Sequence, residues 1–254
     1  MNIVAFVKMV PDLVEEITVD ASGTALDTAF MRLIINESDD HAVEQSILLK
    51  ERGAGKVTVV APDAEGIDDV LFAASAKGVD QVIKLTGDFA EGLNNHALAR
   101  AAASAIKELQ PDLILTGVQA NNDVDGPVGP LLAEYLGLPY VGYVAGVTLT
   151  AGKVAVRKEY PGGLVARMEV TLPAVLGVQA AEQPPRYVAV SKVRQAMKTA
   201  SLEEQAVGAL DPSGSVAVSR MYQPEASGRA EMIDGDAEAV AAKFVGIFKD
   251  AGIL

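Results

Sequence analysis

The chain has 254 residues, half of them apolar, with no cysteine, no tryptophan and a formal net charge of −13. That length can bury a full core, as one large domain or one domain with an extension. An acidic surface repels phosphate backbones and anionic lipid, so no nucleic acid and no membrane are expected as partners. The missing cysteine excludes disulfides, thiolate nucleophiles and thiolate metal sites, and it fits a reducing cytoplasm, the expected location. No stretch reaches the roughly 18–20 apolar residues that span a bilayer, so no membrane insertion is expected. The opening run MNIVAFVKMVPDL lacks a signal-peptide layout and reads as a buried first strand.

Strand and helix signals then alternate. Ile3 to Val7 is a short apolar run, the form of a strand buried on both faces. Residues 12–35 are a polar excursion with a turn at Ala21-Ser22-Gly23. Asn36-Glu37-Ser38-Asp39 is a helix start: Asn36 can cap, and Asp39 adds negative charge to the first turn. Behind it Ala42, Val43, Ser46, Ile47 and Leu49 share one side of a helix ending near Gly53. Lys56 to Ala61 is a second strand, followed by a helix with Ile67, Val70, Leu71 and Ala74 on one stripe, stopped at Gly78. Gln81 to Leu85 is a third strand, and the next helix aligns Leu98, Ala101, Ala102, Ala105 and Leu109. Asp112 to Thr116 is the fourth strand. Strand–helix units of roughly 30 residues imply parallel pairing with right-handed crossovers, so the fold class expected is α/β with a doubly wound parallel sheet.

From Tyr140 the pattern changes. Val141–Thr150, Val154–Glu159 and Leu164–Leu172 are strand-like and separated by the turn signals Ala151-Gly152 and Pro161-Gly162-Gly163, which predicts an antiparallel extension of the sheet. Residues 201–235 lose periodicity. A last helix over Asp236–Ala251 sets Val240, Phe244, Ile247 and Phe248 on one side. The expected division is a nucleotide-binding domain over 1–200 and a C-terminal arm with its helix over 201–254. The arm either folds back on its own domain or embraces a partner.

The informative segment follows the fourth strand. In open parallel sheets, ligands sit outside the carboxyl ends of the strands where strand order reverses. Gly117 to Pro130 (GVQANNDVDGPVGP) is polar, punctuated by glycine, and runs into a helix over Leu131–Leu136 whose free N–H groups suit a phosphate. Pro127 and Pro130 lack an N–H and reduce those donors. An ordinary strand–helix connection reads as well from these residues alone. No G-x-G-x-x-G follows the first strand, and neither a Walker-type phosphate loop nor a G-x-S-x-G elbow occurs. His41 and His96 read as solvated helix-end residues. The pairs Asp39–Asp40 and Asp123–Asp125 could bind a metal but read as exposed charge. No catalytic constellation emerges.

Four segments, in order, resemble the beta subunit of electron transfer flavoproteins. Val7 to Asp12 (VKMVPD) is similar to that family's opening strand and turn. Asn36 to Glu44 (NESDDHAVE) is similar to its Asn-Pro-x-x-x-x-Ala-Leu/Val-Glu helix start. Gly117 to Pro139 stands where the family has Gly-Lys-Gln-Ala-Ile-Asp-x-Asp, then Gln-Thr/Val-Gly and a helix closing in Leu-x-x-Pro. Leu172-Pro173-Ala174-Val175 and Pro185-Arg186-Tyr187 are similar to its Leu-Pro-Ala-Val and Pro-Arg-Tyr. The likeness covers about residues 1–200; beyond that only the layout is similar.

The resemblance implies a HUP-like adenine-nucleotide-binding sheet in a heterodimer with an alpha subunit, carrying electrons and having no catalytic residues of its own. It implies an FAD shared with that alpha subunit, and AMP or a second FAD in the crevice of this chain. The matching crevice positions are Phe6, Asn36, Glu37, Ser38 and Asp39, then Ala61, and in the loop Gly117, Gln119, Ala120, Asn121, Asn122, Asp123, Gly126 and Val128. It further implies that Pro185, Arg186 and Tyr187 open a loop recognising acyl-CoA-type or other flavin dehydrogenases, with Val190 at the family's anchoring Leu and Lys192, Ala196 and Lys198 leading into a basic helix. Leu13 falls where some members place an aromatic near the flavin.

Departures are concentrated in the loop. The family's Lys is Val118, its Ile-Asp is Asn121-Asn122 and its Gln-Thr is Pro127-Val128. Val128-Gly129-Pro130 is closer to members with a second FAD, whose Asp-Gly-Asp is nonetheless Asn122-Asp123-Val124 here. An electron-bifurcating subunit, its second FAD reduced by NADH, is therefore one alternative. A stand-alone adenine-nucleotide-binding protein of the stress-response type is another, although its Gly-x-x-Gly…Gly-Ser signature is missing.

Overall fold

A computed structural model describes residues 1–89, 94–150, 152–224 and 230–254. They form two units, Met1–Met221 and Tyr222–Leu254. The first unit opens with β1 (Asn2–Phe6), β2 (Met9–Pro11) and β3 (Leu33–Ile35). Then α1 (Glu37–Glu51), β4 (Lys56–Pro62), α2 (Ile67–Lys77), β5 (Gln81–Thr86), α3 (Asn95–Glu108), β6 (Leu113–Gly117) and α4 (Val128–Leu136) alternate. β7 (Tyr140–Thr150), β8 (Lys153–Tyr160), β9 (Leu164–Thr171) and β10 (Ala174–Val178) precede α5 (Val190–Thr199) and β11 (Leu202–Ala206). The described part of the second unit carries α6 (Ala237–Asp250), capped by the Asp236 side chain, which accepts from the Ala239 N–H.

Among the described residues nine strands form one sheet in the order β11-β5-β4-β1-β6-β10-β7-β8-β9. Neighbours from β11 through β7 are parallel, and β7–β8 and β8–β9 are antiparallel. This is the doubly wound α/β sheet with its antiparallel extension. Val57–Pro62 and Leu113–Gly117 are buried without alternation because helices cover both faces. Ile3 and Ala5 of β1, with Val7 just past its end, enter the core under α1 and α2; Val4 and Phe6 enter a second core under α3 and α4. Alanines fill much of the inner face of α3, so that helix lies close to the sheet and to α4.

The pattern of the sequence leaves three elements unseparated. β2 and β3 pair antiparallel in register Met9↔Ile35 to Pro11↔Leu33, and three residues each are too few for a period. β10 returns to the middle of the sheet, parallel to both β6 and β7, so residues 140–178 are more than an added meander. β11 (LEEQA) lies within the stretch read as aperiodic. It is a polar strand at the edge of the sheet, paired with β5, and edge strands need no apolar alternation. Beyond it, Asn94 donates to the Pro212 carbonyl and Arg100 to those of Asp211 and Ser213, tying this segment to α3. Ala151 of the first turn signal, and residues 225–229 of the arm, lie outside the described residues. Among the described residues no helix is long and apolar enough to cross a membrane.

Tyr140 at the start of β7 is hemmed in by Gly129, Gly142 and Gly177. A Cβ on Gly177 would overlap the Tyr140 hydroxyl, and the other two glycines leave the ring no way aside. Gly177→Ala is expected to destabilise the fold by roughly 1–3 kcal/mol. Gly208→Ala, with nothing within 4 Å of the new methyl, should change stability by less than about 0.5 kcal/mol. Urea melts of the two variants check the contrast.

Candidate functional site

The chain leaves β1 for β4 on one side and later places β6 on the other, so the carboxyl ends of β1 and β6 part around a crevice. The first turn of α1 enters that crevice. Its Asp39 carboxylate accepts the Lys8 N–H at 2.9 Å through one oxygen and the Gly117 N–H at 2.7 Å through the other. One side chain thus binds the ends of two neighbouring strands. Burial pushes its carboxyl up to about 6, against the opposing pull of those two N–H groups and the Lys8 ammonium. Gly117 is required by close approach, since a Cβ there would run into Asp39, Ser38 and Asn36.

The loop after β6 is held from both sides. Gln119 offers its carbonyl to the Asn36 amide at 3.0 Å and to the Ser38 hydroxyl at 2.7 Å. Asn36 therefore occupies the N-cap position of α1 without capping it: its side chain is committed to the loop. Asp123 is the centre of the second set. It receives the Lys8 ammonium, the Asn95 amide and the Ala120 N–H, each at 2.7 Å. Asp125 accepts from the N–H groups of Asn95 and His96 at the start of α3. The Asn121 amide donates to the Pro11 carbonyl.

Of the positions expected at a nucleotide, Phe6, Asn36, Asp39, Gly117, Gln119, Ala120, Asp123 and Val128 do line the crevice. Glu37 and Asn122 are exposed, Ala61 is sealed in the core under α1 and α2, and Gly126 contributes a carbonyl to Asn95. Lys8 and Asn95 were missed. Lys8 is the one lysine after the apolar run of the opening strand, which is the available signal; nothing local marks Asn95. The two histidines have protein partners. His41 accepts from the Ala181 N–H, and the His96 ring meets the Tyr135 hydroxyl at 2.9 Å. Asp39 and Asp123 serve backbone amides and Lys8, and Asp40 pairs with Lys77. Among the described residues no group of three or more His, Asp or Glu side chains could hold a metal ion.

On the far side of α1 a strap over residues 181–186 is bonded to the helix. Glu182 pairs with Arg52 at 2.7 Å and exchanges hydrogen bonds with Gln45. Arg186 turns inward to Glu44 at 2.8 Å and Glu51 at 2.6 Å. That inward turn leaves Tyr187 (87 % exposed) and Val190 (61 % exposed) standing out beside it, with Lys192 exposed and Ala196 buried in the packing of α5 on α2.

These features define a doubly wound α/β sheet with a switch-point crevice held by Asp39 and Asp123. A family model described as "Electron transfer flavoprotein domain" matches residues 28–210. The electron transfer flavoprotein subunit beta of Methylophilus methylotrophus is 31% identical over 261 residues, covering 98% of each chain. That of Clostridium acetobutylicum is 31% identical over 257 residues, again 98% of each. That of Syntrophomonas wolfei is 32% identical over 244 residues, 96% of this chain and 94% of its own. The chain belongs to the electron transfer flavoprotein family, in the electron-carrier role of its beta subunits.

Asp39 also gives a pH dependence. A carboxyl whose value is higher in the folded chain than its ordinary 3.8 contributes stability that is full below about 4 and lost as pH rises through about 6. The stability advantage of the native chain over Asp39→Asn should therefore shrink between pH 4 and pH 7, by up to about 3 kcal/mol. Denaturant melts of both proteins at the two pH values test this. A difference that does not change with pH would show that Asp39 does not titrate in that window.

Proposed function

We propose that this chain forms a heterodimer with an electron transfer flavoprotein alpha subunit and shares one FAD with it, in the cytoplasm, passing electrons between flavin dehydrogenases and an acceptor. The flavin supplies the redox chemistry; protein supplies binding, orientation and partner recognition. The observation that carries the reading is α6. It has no buried residue, yet Phe244, Val245, Ile247 and Phe248 are each at least two-fifths exposed, and the two phenylalanines stack at 6.1 Å. An apolar face of this kind fits coverage by another chain. Leu13, Val14 and Phe30 in the excursion between β2 and β3 are also exposed, at 65%, 92% and 99%. They offer a second apolar surface for the alpha subunit or the edge of its flavin.

For the dehydrogenase, the candidate contacts are Tyr187 and Val190, with Lys192 beside them. Arg186 belongs to the same loop but, bonded to Glu44 and Glu51, supports it from behind. An exposed aromatic and an aliphatic anchor on a braced loop suit a docking knob.

Two outcomes follow. Phe244→Asp with Phe248→Asp is expected to lower coelution with the alpha subunit and the yellow FAD absorbance of the complex, while circular dichroism of the sheet is kept. Unchanged coelution and flavin would remove α6 from the interface. Val190→Asp, in contrast, should leave FAD content unchanged and slow flavin reduction by the partner dehydrogenase at least about tenfold, the effect of losing roughly 1.4 kcal/mol at a docking anchor. An unaltered rate would discard the loop assignment.

A further inference from the structure

The crevice is where the family resemblance sets AMP or a second FAD, and its own side chains fill it. The floor is Phe6, 2% exposed and continuous with the core under α3 and α4. The roof is the contact of Lys8 and Asn95 with Asp123. Between them the cavity is about 10 Å³, room for one water-sized body.

The polar side chains of that roof are equally spent. An incoming phosphate needs cationic or N–H donors. The Lys8 ammonium, at 9% side-chain exposure, is bound to Asp123, which is equally covered, and reaches the Asn95 side-chain amide oxygen at 3.3 Å. The Asn95 amide is divided between Asp123 and the Gly126 carbonyl, and the Ala120 N–H is taken by Asp123. Asp125 covers the first N–H groups of α3. At α4, Pro127 and Pro130 remove two further donors and leave the N–H groups of Val128 and Gly129 between them. Asp123 and Asp125 together outnumber the single ammonium, so a nucleotide dianion would meet net negative charge. The buried polar atoms of the described residues all have partners without it.

We propose that the crevice of this subunit takes no nucleotide: above a Phe6 floor with room for one water-sized body, the Asp123 carboxylate occupies the Lys8 ammonium, the Asn95 amide and the Ala120 N–H that would otherwise face a nucleoside phosphate. The proposal rests on the beta-subunit reading and deepens it, giving a heterodimer with one FAD and neither AMP nor a second FAD.

The test uses the complex with the alpha subunit. Nucleotides released from the native complex by denaturation should amount to one FAD per heterodimer and no AMP, and millimolar AMP should leave its melting temperature unchanged. Asp123→Ala releases Lys8, Asn95 and the Ala120 N–H together. That variant complex, still with its FAD, should melt about 2 °C or more higher in phosphate or AMP than in chloride of equal ionic strength. Asp123→Asn serves the same comparison if the alanine variant does not fold. Near-stoichiometric AMP or two FAD from the native complex overturns the proposal, and so does a folded variant indifferent to phosphate and AMP. A native complex without any flavin would instead fell the carrier reading, while the AMP count still decides this one.

Discussion

The whole sheet turns on the point where its winding reverses, and there one carboxylate holds it together. β1 and β6 are neighbours along their length, from Ile3↔Leu113 to Phe6↔Thr116, but their continuations diverge. Each strand end would leave an N–H facing a crevice. Asp39 answers both at once, with one oxygen for each. Desolvating a carboxylate is unfavourable, which is why burial raises its proton affinity. The same burial leaves the two amides no comparable alternative, so the arrangement is over-determined: strand ends, helix start and loop are fixed by one group.

α1 extends that constraint across the molecule. Its first turn meets the crevice through Asn36, Ser38 and Asp39, and its later turns hold the strap through His41, Glu44, Gln45, Glu51 and Arg52. Glu44 is 2% exposed. A buried carboxylate without its cation would be strongly unfavourable, so Arg186 is bound to its inward position, and the chain beside it must pass over the surface. The exposed Tyr187 and Val190 are thus a consequence of a buried ion pair two turns along the helix that also frames the crevice.

Much of this was legible in the residues. The repeated strand–helix units gave the parallel order, because strands buried on both faces must be apolar throughout, and the loop from Gly117 was located by the topology rule alone. Pairing partners were not legible. β10 is five residues long, follows Pro173, and takes its place only through long-range register with Leu113–Gly117; β11 has no apolar period because it lies on an edge. In the crevice, Asn36 fitted the local rule for a helix cap but is used otherwise, since the Gln119 carbonyl, 83 positions along the chain, competes for its amide. Arg186 reads as a docking residue by composition, and its bonds to Glu44 and Glu51, 142 and 135 positions away, could not be read there. Lys8 with Asp123 was out of reach for the same reason: the partners are 115 positions apart.

The closed crevice, under the proposal, changes what the subunit's stability depends on. A nucleotide that binds only the folded chain stabilises it by mass action, about 2.7 kcal/mol at a hundredfold excess over its Kd, and that contribution falls with supply. A tethered carboxylate is present at a fixed effective concentration. Asp123 is delivered to Lys8 by three residues of loop from Ala120, whose own N–H it also binds, so the network forms with the fold itself. Such a crevice needs no ligand to set the separation of β1 and β6. With a single flavin in the complex, every electron leaving a dehydrogenase must reach that one site, and control over transfer then falls to the surfaces that bring partners to it. On the docking proposal, the braced loop at Tyr187 and Val190 is the surface this chain contributes.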